Sequence, residues 1–451
     1  MHSSVLMLLD EHPPFATSWS QIFEQVGTSI ASMVKNRGNL MRRALIDNWA
    51  LFLGMAMLMI ANGLLVTLLS VRGAGLGFSP LIISIMQACY PLGALIGTIA
   101  VPKLIEKVGH IRVFSALASM VSIAAIIHLL TSEPVSWSSM RFLAGVCFPG
   151  LYVVTESWLN AKSENRIRAQ VLSIYFIIQT LGPAIGTALV GFPDPSGNLM
   201  FGIVSILISL SIVPLLLSGI RAPEFTAPDR MTVTKLYRVS PMAVTGITLM
   251  SVGVSAWFIA LPLYALNQGF SAAQASGVLV VAMITAGVFQ YPIGWISDNT
   301  DRRNVVISLS VLAALAAGWL TFNDRDFVIG FAVIAAMTLP IYSILAAHAN
   351  DQLLPTQVVP ASGAMVFLLQ LGQVFGMFLG PNVIVFANGR GLQILIGLIC
   401  VGLAMFALVR RVSTEAPEET GEVQAMGVIG VAQPGNLVAQ AMVTEDEKTD
   451  N

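Results

Sequence analysis

The sequence predicts an all-α membrane protein of twelve transmembrane helices in two pseudo-symmetric six-helix bundles, and three observations predict it. Of 451 residues, 55% are hydrophobic and only 10% charged, and the mean hydropathy is +0.79. An average soluble protein is about 25% charged residues. Twelve stretches reach or approach the roughly 20 apolar residues that a helix rising about 1.5 Å per residue needs to cross a hydrocarbon core about 30 Å thick. The lysines and arginines between those stretches fall almost entirely on alternate connections. Continuous apolar runs of this length exclude a membrane β-barrel, whose strands alternate over short segments.

The first half contains the stretches 49–71, 81–101, 111–130, 140–159, 171–192 and 199–220; the second contains 243–266, 277–296, 305–322, 328–347, 363–386 and 392–409. Lys35, Arg37, Arg42 and Arg43 precede the first stretch, and Lys103, Lys107 and Arg112 join the second to the third. Lys162, Arg166 and Arg168 join the fourth to the fifth, and Arg221, Arg230, Lys235 and Arg238 join the sixth to the seventh. Arg302 and Arg303 join the eighth to the ninth, and Arg410 and Arg411 follow the twelfth. The remaining connections hold Arg72, Arg325 and Arg390. Basic loops stay on the cytoplasmic side, so both termini are expected there, in a multi-pass membrane protein. One missed helix would scramble the alternation downstream of it. The connection 348–360 departs from the pattern, with Asp351 and no Lys or Arg.

These boundaries give five regions: a cytoplasmic extension 1–43, a bundle 44–220, a cytoplasmic linker 221–240, a bundle 241–411 and a tail 412–451. The tail is rich in Glu, Gly and small residues and is expected to be disordered. In the extension, Trp19, Ile22, Phe23, Val26, Ile30 and Met33 share one helical face, as in a segment lying in the membrane interface. An unstructured extension or a later start at Met33 or Met41 fits equally. The first residues lack a signal peptide's basic start, apolar run and small-residue cleavage site, so no cleavage is expected. Net charge is −1, which offers no attraction for nucleic acid. Cys89, Cys147 and Cys400 lie apart in apolar stretches without a metal-ligand spacing, so their expected role is packing, and no metal or other cofactor is expected.

The two halves echo one another. Tyr90-Pro91-Leu92-Gly93 recurs as Tyr291-Pro292-Ile293-Gly294, and the pair Gly182 and Gly186 recurs as Gly372 and Gly376. A duplicated six-helix unit with its solute site between the halves is a transporter plan. At this point the chain resembles the major facilitator superfamily, whose signature after the second and eighth helices reads G-x-x-x-D-R-x-G-R-R. Gly294, Asp298, Arg302 and Arg303 match it closely. In the first half, Gly97 is followed by Val101 where the Asp belongs, then Pro102, Lys103, an insertion, Gly109 and Arg112. The resemblance includes Arg141-x-x-x-Gly145, Asn165-Arg166-Ile167-Arg168-Ala169 and Gly182-Pro183, and covers about 44–411. The run 152–160 (YVVTESWLN) and Gly109-His110-Ile111-Arg112 resemble the YcaD-like branch of that superfamily.

The resemblance implies alternating access between two bundles, and a cytoplasmic gating motif made here of Gly97, Arg112, Gly294, Asp298, Arg302 and Arg303. In it a carboxylate at a helix end pairs with an arginine; a plain solvated loop is the other reading. A gating part also fits His348 and Asp351. Candidates for solute contact are Asn62, Gln87, Tyr152, Tyr175, Gln179, Trp257, Tyr264, Gln290, Tyr291, Tyr342, Gln370 and Gln373, many of which would serve equally as interhelix hydrogen bonds or interfacial aromatics.

Ionisable groups at helix centres cost about 2.5–3.5 kcal/mol by insertion scales, so the few present need a reason. Glu156, late in the fourth helix, is either a proton carrier or the partner of Arg166 or Arg168 in an ion pair. Arg141 holds a solute carboxylate, biases the proton affinity of an acid across the cleft, or snorkels to the outer headgroups. His128 is expected at the interface. Gly93, Gly97, Gly182, Gly186, Gly372 and Gly376 let helices approach closely, and Pro183 permits a bend.

The function these readings favour is proton-coupled secondary active transport by a single chain, with the bilayer, protons and a small-molecule solute as partners. With few buried charges, the expected solute is neutral, zwitterionic or amphipathic. Gly182-Pro183-x-x-Gly186 resembles part of an antiporter motif, which points to efflux. No GxxxxGK loop supplies a nucleotide. The competing classes are a membrane-embedded enzyme, for which HExxH and GxSxG are missing and Asp298 to Asp301 is a lone DxxD, and an uncoupled channel or sensor.

Overall fold

The computed structural model describes residues 46, 48–162, 165–192, 198–218, 223, 231–323, 326–387 and 389–413. The chain divides at Asn48. The expected amphipathic face in 1–43, the tail from 414 and most of the linker lie outside the described residues.

From Asn48 the chain forms α1 (Asn48–Gly75), α2 (Pro80–Val108), α3 (His110–Leu130), α4 (Pro134–Lys162), α5 (Asn165–Leu189) and α6 (Leu199–Leu217). After a short α7 (Val233–Val239) come α8 (Pro241–Asn267), α9 (Ala272–Asp298), α10 (Arg302–Phe322), α11 (Phe327–Asn350), α12 (Pro355–Val383) and α13 (Gly391–Ser413). Eleven of these are long and apolar enough to cross a membrane, and α5 adds the shorter apolar segment Ile177–Leu189. The twelve expected spans are therefore each matched by a helix.

Helix ends are set by local chemistry. Ser79 caps α2, its Oγ accepting from the Ile82 N–H at 3.3 Å, with Pro80 at the first position. Ser271 and Gln274 form a reciprocal capping box at the start of α9. Gly109, at φ +85°, breaks α2 from α3 in a conformation that side chains with a Cβ rarely adopt.

Several helices run past their apolar segments at the face where the basic connections cluster. α2 continues from Val101 to Val108 and α4 reaches Lys162, because a helix satisfies its backbone internally whether or not its outer turns meet lipid. The connection expected over 348–360 shrinks for this reason: α11 runs to Asn350 and α12 starts at Pro355, so His348 is helical. At its other end α12 stops at Val383, short of the expected 386, in a turn where Ala387 has φ +53°. The linker contains α7, whose Leu236 is fully buried in the core of the second bundle. The Met231 N–H bonds Pro360 O at 3.1 Å.

In the first bundle α2 packs on α4, and α3 on α4 and α6; in the second α8 packs on α12, α13 and α11, and α10 on α13 and α11. The bundles meet where α2 packs on α12 and α5 on α9. Glycines permit the closest crossings. A Cβ at Gly186 would run into Ile60 O of α1, and one at Gly376 into Val252 O of α8, so the duplicated glycine pairs do the same work in each half.

The Tyr-Pro echo is a different matter. Tyr90 precedes Gly97 by seven positions, but Tyr291 precedes Gly294 by three, so the two are offset by one helical turn against the loop motif. Tyr90 is 9% exposed and Tyr291 is 70% exposed.

Candidate functional site

A cavity of about 150 Å³ lies between the bundles, with walls from α1, α2, α4 and α5 on one side and α8, α9, α11 and α12 on the other. Of the expected contact residues, Asn62, Arg141, Tyr152, Gln179, Tyr342, Gln370 and Gln373 line it. Most of the remaining wall is apolar, from Met250, Val254, Phe258, Met283, Leu369 and Met377 among others.

The polar groups on the first-bundle side are tied together. Arg141 is 1% exposed; its Nε donates to Gln87 Oε1 at 3.1 Å, and its guanidinium sits 4.3 Å over the Tyr90 ring. Gln87 stands behind the wall and donates in turn to Ser70 Oγ at 2.8 Å and Val66 O at 3.1 Å. Asn62 Nδ2 donates to Tyr152 OH at 3.1 Å. Behind Gln179, Glu156 is 1% exposed and its Oε1 accepts from Tyr175 OH at 2.9 Å and from Gln179 Nε2 at 3.4 Å. The expected pairing with Arg166 or Arg168 falls on side chains outside the described set. Arg141 is buried against the cavity and does not reach for the headgroups.

The other expected residues are elsewhere. Tyr264 packs against Phe327 and Phe331 in the second bundle and accepts from Gln393 Nε2 at 3.0 Å. Trp257 is fully buried one position from the lining Phe258, and Gln290 is buried in α9 away from the lining. Tyr291 faces outward. His128 is 2% exposed, not interfacial: its ring stacks on Phe201 at 5.8 Å and its Nδ1–H donates to Ala124 O. Lining residues that the sequence left unassigned include Tyr90, Ser251, Ser255 and Thr338. Tyr90 lies three positions from Gln87 on one helical face, which is the signal that would have found it.

Toward the face opposite the basic one the bundles touch. Ala88, Ile259 and Met377 form an apolar cluster with Val66 and Phe258, and Asn382 Nδ2 donates to Ser84 Oγ at 2.7 Å.

At the basic face, Arg302 donates to Asp298 Oδ1 and to Asp351 Oδ2, both at 2.8 Å, so one guanidinium joins the ends of α9 and α11. Arg303 stands apart from this pair and is held by Asp301 at 2.9 Å. His348 is buried beside them, its Nε2 3.1 Å from Gln352 Nε2. The first half has Val101 where the carboxylate would stand, packed against Gly150 of α4; Gly97 abuts Val146 O, and Arg112 is exposed. Among the described residues the ion pairs all lie in the second half.

Burial works against the Asp301 carboxylate, but hydrogen bonds from Arg303 and its charge outweigh that and hold the carboxyl below its ordinary range. A carboxyl whose pKa is depressed by folding stabilises the fold above its unfolded value, and the contribution is lost as pH falls through the folded value. Asp301→Asn, which keeps a capping side chain on α10, is therefore expected to lower the melting temperature at neutral pH. The pair is partly exposed, so the loss is no more than about 1 kcal/mol. The difference from wild type is expected to shrink as pH falls below the ordinary aspartate value of about 3.9 and through the depressed folded one. Melts that differ equally at neutral and acid pH would show that the pair contributes nothing.

The family model for the Major Facilitator Superfamily matches residues 51–286 and 243–438. The MFS-type transporter YcaD of Escherichia fergusonii is 25% identical over 304 residues, 66% of this chain and 78% of that one. Its Salmonella arizonae counterpart is 24% identical over 338 residues, 74% of this chain and 86% of that one. Among solved structures, a variant of the nucleoside transporter NupG superposes with a TM-score of 0.66 at 15% identity, covering 81% of this chain and 99% of that one. A variant of the E. coli fucose:proton symporter FucP superposes with a TM-score of 0.53 at 13% identity, over 81% of this chain and 99% of that one. At these identities the likeness is one of fold.

Proposed function

The chain belongs to the major facilitator superfamily, in its YcaD-like branch, and is a secondary transporter of a small-molecule solute; we propose that it is proton-coupled and works by alternating access at the cavity between its bundles. The observation that carries this reading is one cavity with polar side chains from both bundles and a buried carboxyl, Glu156, one hydrogen bond behind its wall. A solute held there touches both halves at once. Rocking of the halves about it would open the cavity to one side at a time.

In this proposal Glu156 carries the coupling proton, and Gln179, which bonds Glu156 and lines the cavity, links proton and solute. The basic face is cytoplasmic, both termini lie there, and the Arg302 bridge to Asp298 and Asp351 braces that face of the second bundle as its gate. The mostly apolar wall favours a neutral, zwitterionic or amphipathic solute, and transport runs outward in a single chain within a bacterial inner membrane.

The test uses proteoliposomes offered a mixture of small metabolites across an imposed pH difference, with lumen and bath compared by mass spectrometry. Gradient-dependent redistribution of at least one compound, abolished by a protonophore, is the expected result. Redistribution that ignores the protonophore would leave transport standing and remove the proton. Cysteine labelling at the tail from membrane-impermeant reagents tests the assignment of the basic face; labelling from outside in intact cells overturns it.

A further inference from the structure

We propose that the solute is an amphipathic monoanion: an apolar body about the size of one aromatic ring, an anionic group on Arg141, and a neutral hydrogen-bonding group on Gln370 and Tyr342. This rests on the transporter reading above and narrows its solute class.

Arg141 lines the cavity as a buried cation without a counter-ion among the described residues. No carboxylate among the described residues stands within ion-pair reach of it, and its Nη1 has no hydrogen-bond partner. Its known contacts, the Gln87 oxygen and the Tyr90 ring, are neutral. They orient the guanidinium without neutralising it, which leaves its charge to an anion entering the cavity.

Two further groups line the same space from the second bundle. Among the described residues, Gln370, 1% exposed, has no partner for its amide oxygen or nitrogen, and the Tyr342 hydroxyl, on a residue 7% exposed, has none either. Buried polar groups in folded proteins are almost always satisfied, so an amide that lacks both bonds marks where a ligand or water belongs. An amide both donates and accepts, as a hydroxyl or amide of the solute would require.

The charge count follows from the lining. Among the described residues one arginine and no carboxylate line the cavity, so a dianion would leave one charge unpaired and an ammonium group would find no counter-ion. Between these groups the wall is apolar, through Met250, Val254, Phe258 and Met377. A cavity of about 150 Å³ is the size that accommodates benzene in an engineered protein core.

The experiment measures thermal stabilisation of the purified full chain in neutral detergent, because a ligand of the native state raises its melting temperature. The probes are benzoate, its neutral isostere benzamide, the cation benzylammonium, and 3-hydroxybenzoate. Expected is stabilisation by benzoate at a half-maximal concentration at least tenfold below that of benzamide, none by benzylammonium, and a stronger response to 3-hydroxybenzoate than to benzoate. Arg141→Gln is expected to abolish the preference for benzoate over benzamide. Gln370→Ala is expected to keep that preference and lose the advantage of the added hydroxyl, which keeps the proposal testable if the arginine variant does not fold.

A wild-type protein that ignores benzoate, or prefers benzamide or benzylammonium, overturns the proposal. So does an Arg141→Gln variant, folded by its elution profile, that still prefers benzoate. Stabilisation by phosphatidylglycerol with none by benzoate would assign the arginine to a lipid headgroup and also overturn it. The proteoliposome measurement distinguishes the two readings: transport of neutral compounds alone removes the anion and spares the transporter, and benzoate binding without gradient-driven transport does the reverse.

Discussion

Glu156→Gln is expected to abolish gradient-driven redistribution in proteoliposomes while downhill exchange of the same compound continues within about threefold of wild type, a factor worth less than about 1 kcal/mol. The substitution is close to isosteric. The glutamine oxygen can accept from Tyr175 and Gln179 as the carboxylate does at 2.9 and 3.4 Å, so helix packing around a residue that is 1% exposed is preserved. What is lost is a group that binds and releases a proton. At one proton per solute, a pH difference of about two units sustains at most a ~100-fold gradient, since each tenfold is about 1.4 kcal/mol, and the variant is expected to show none. Loss of downhill exchange as well would mark Glu156 as a packing residue. Unchanged gradient-driven transport would move the proton to another carrier.

Gly145→Val is expected to cost the protein its folded state in detergent. A Cβ at Gly145 would run into Tyr90 O, and one at Gly93 into Phe142 O, so α2 and α4 cross backbone to backbone. No flexible side chain is there to yield. Overpacking a core ordinarily costs about 1–3 kcal/mol, and here the obstacle is main chain: a side chain added on α4, the helix that carries Arg141, would meet the α2 backbone at Tyr90, whose ring lies beneath the Arg141 guanidinium. The expected outcome is aggregation on size exclusion, with Gly145→Ala intermediate. Gly318→Ala is the control: nothing lies within 4 Å of its added Cβ, and alanine is favoured over glycine in a helix by about 1 kcal/mol. A Gly145→Val protein that elutes and melts like wild type would show that the crossing can open at no cost.

The two predictions draw on different levels of information. That Gly93 serves close packing was legible from small residues recurring on apolar helices, whereas Gly145 stood out only as part of a family motif, and the backbone that each meets was not legible. Glu156 was legible as a rare charge in an apolar stretch. Its partners Tyr175 and Gln179 lie on the next helix, and only the packing of α4 on α5 brings them together.

Composition, apolar run length and the alternation of basic loops determined by themselves that the chain is a twelve-helix membrane protein in two halves, because the bilayer imposes one length scale and forbids unpaired backbone. These are constraints on single segments, and a sequence displays them directly. The tertiary structure alone decided which polar residues share a cavity. Asn62, Arg141, Gln370 and Tyr342 face one space, while Tyr264 and Tyr291, of the same chemical kind, face the second-bundle core and the exterior. The direction a side chain takes depends on the rotation of its helix against neighbours distant in sequence. That rotation is set by contacts such as those of Gly186 with α1 and Gly376 with α8, and a local reading of either helix contains no trace of its partner.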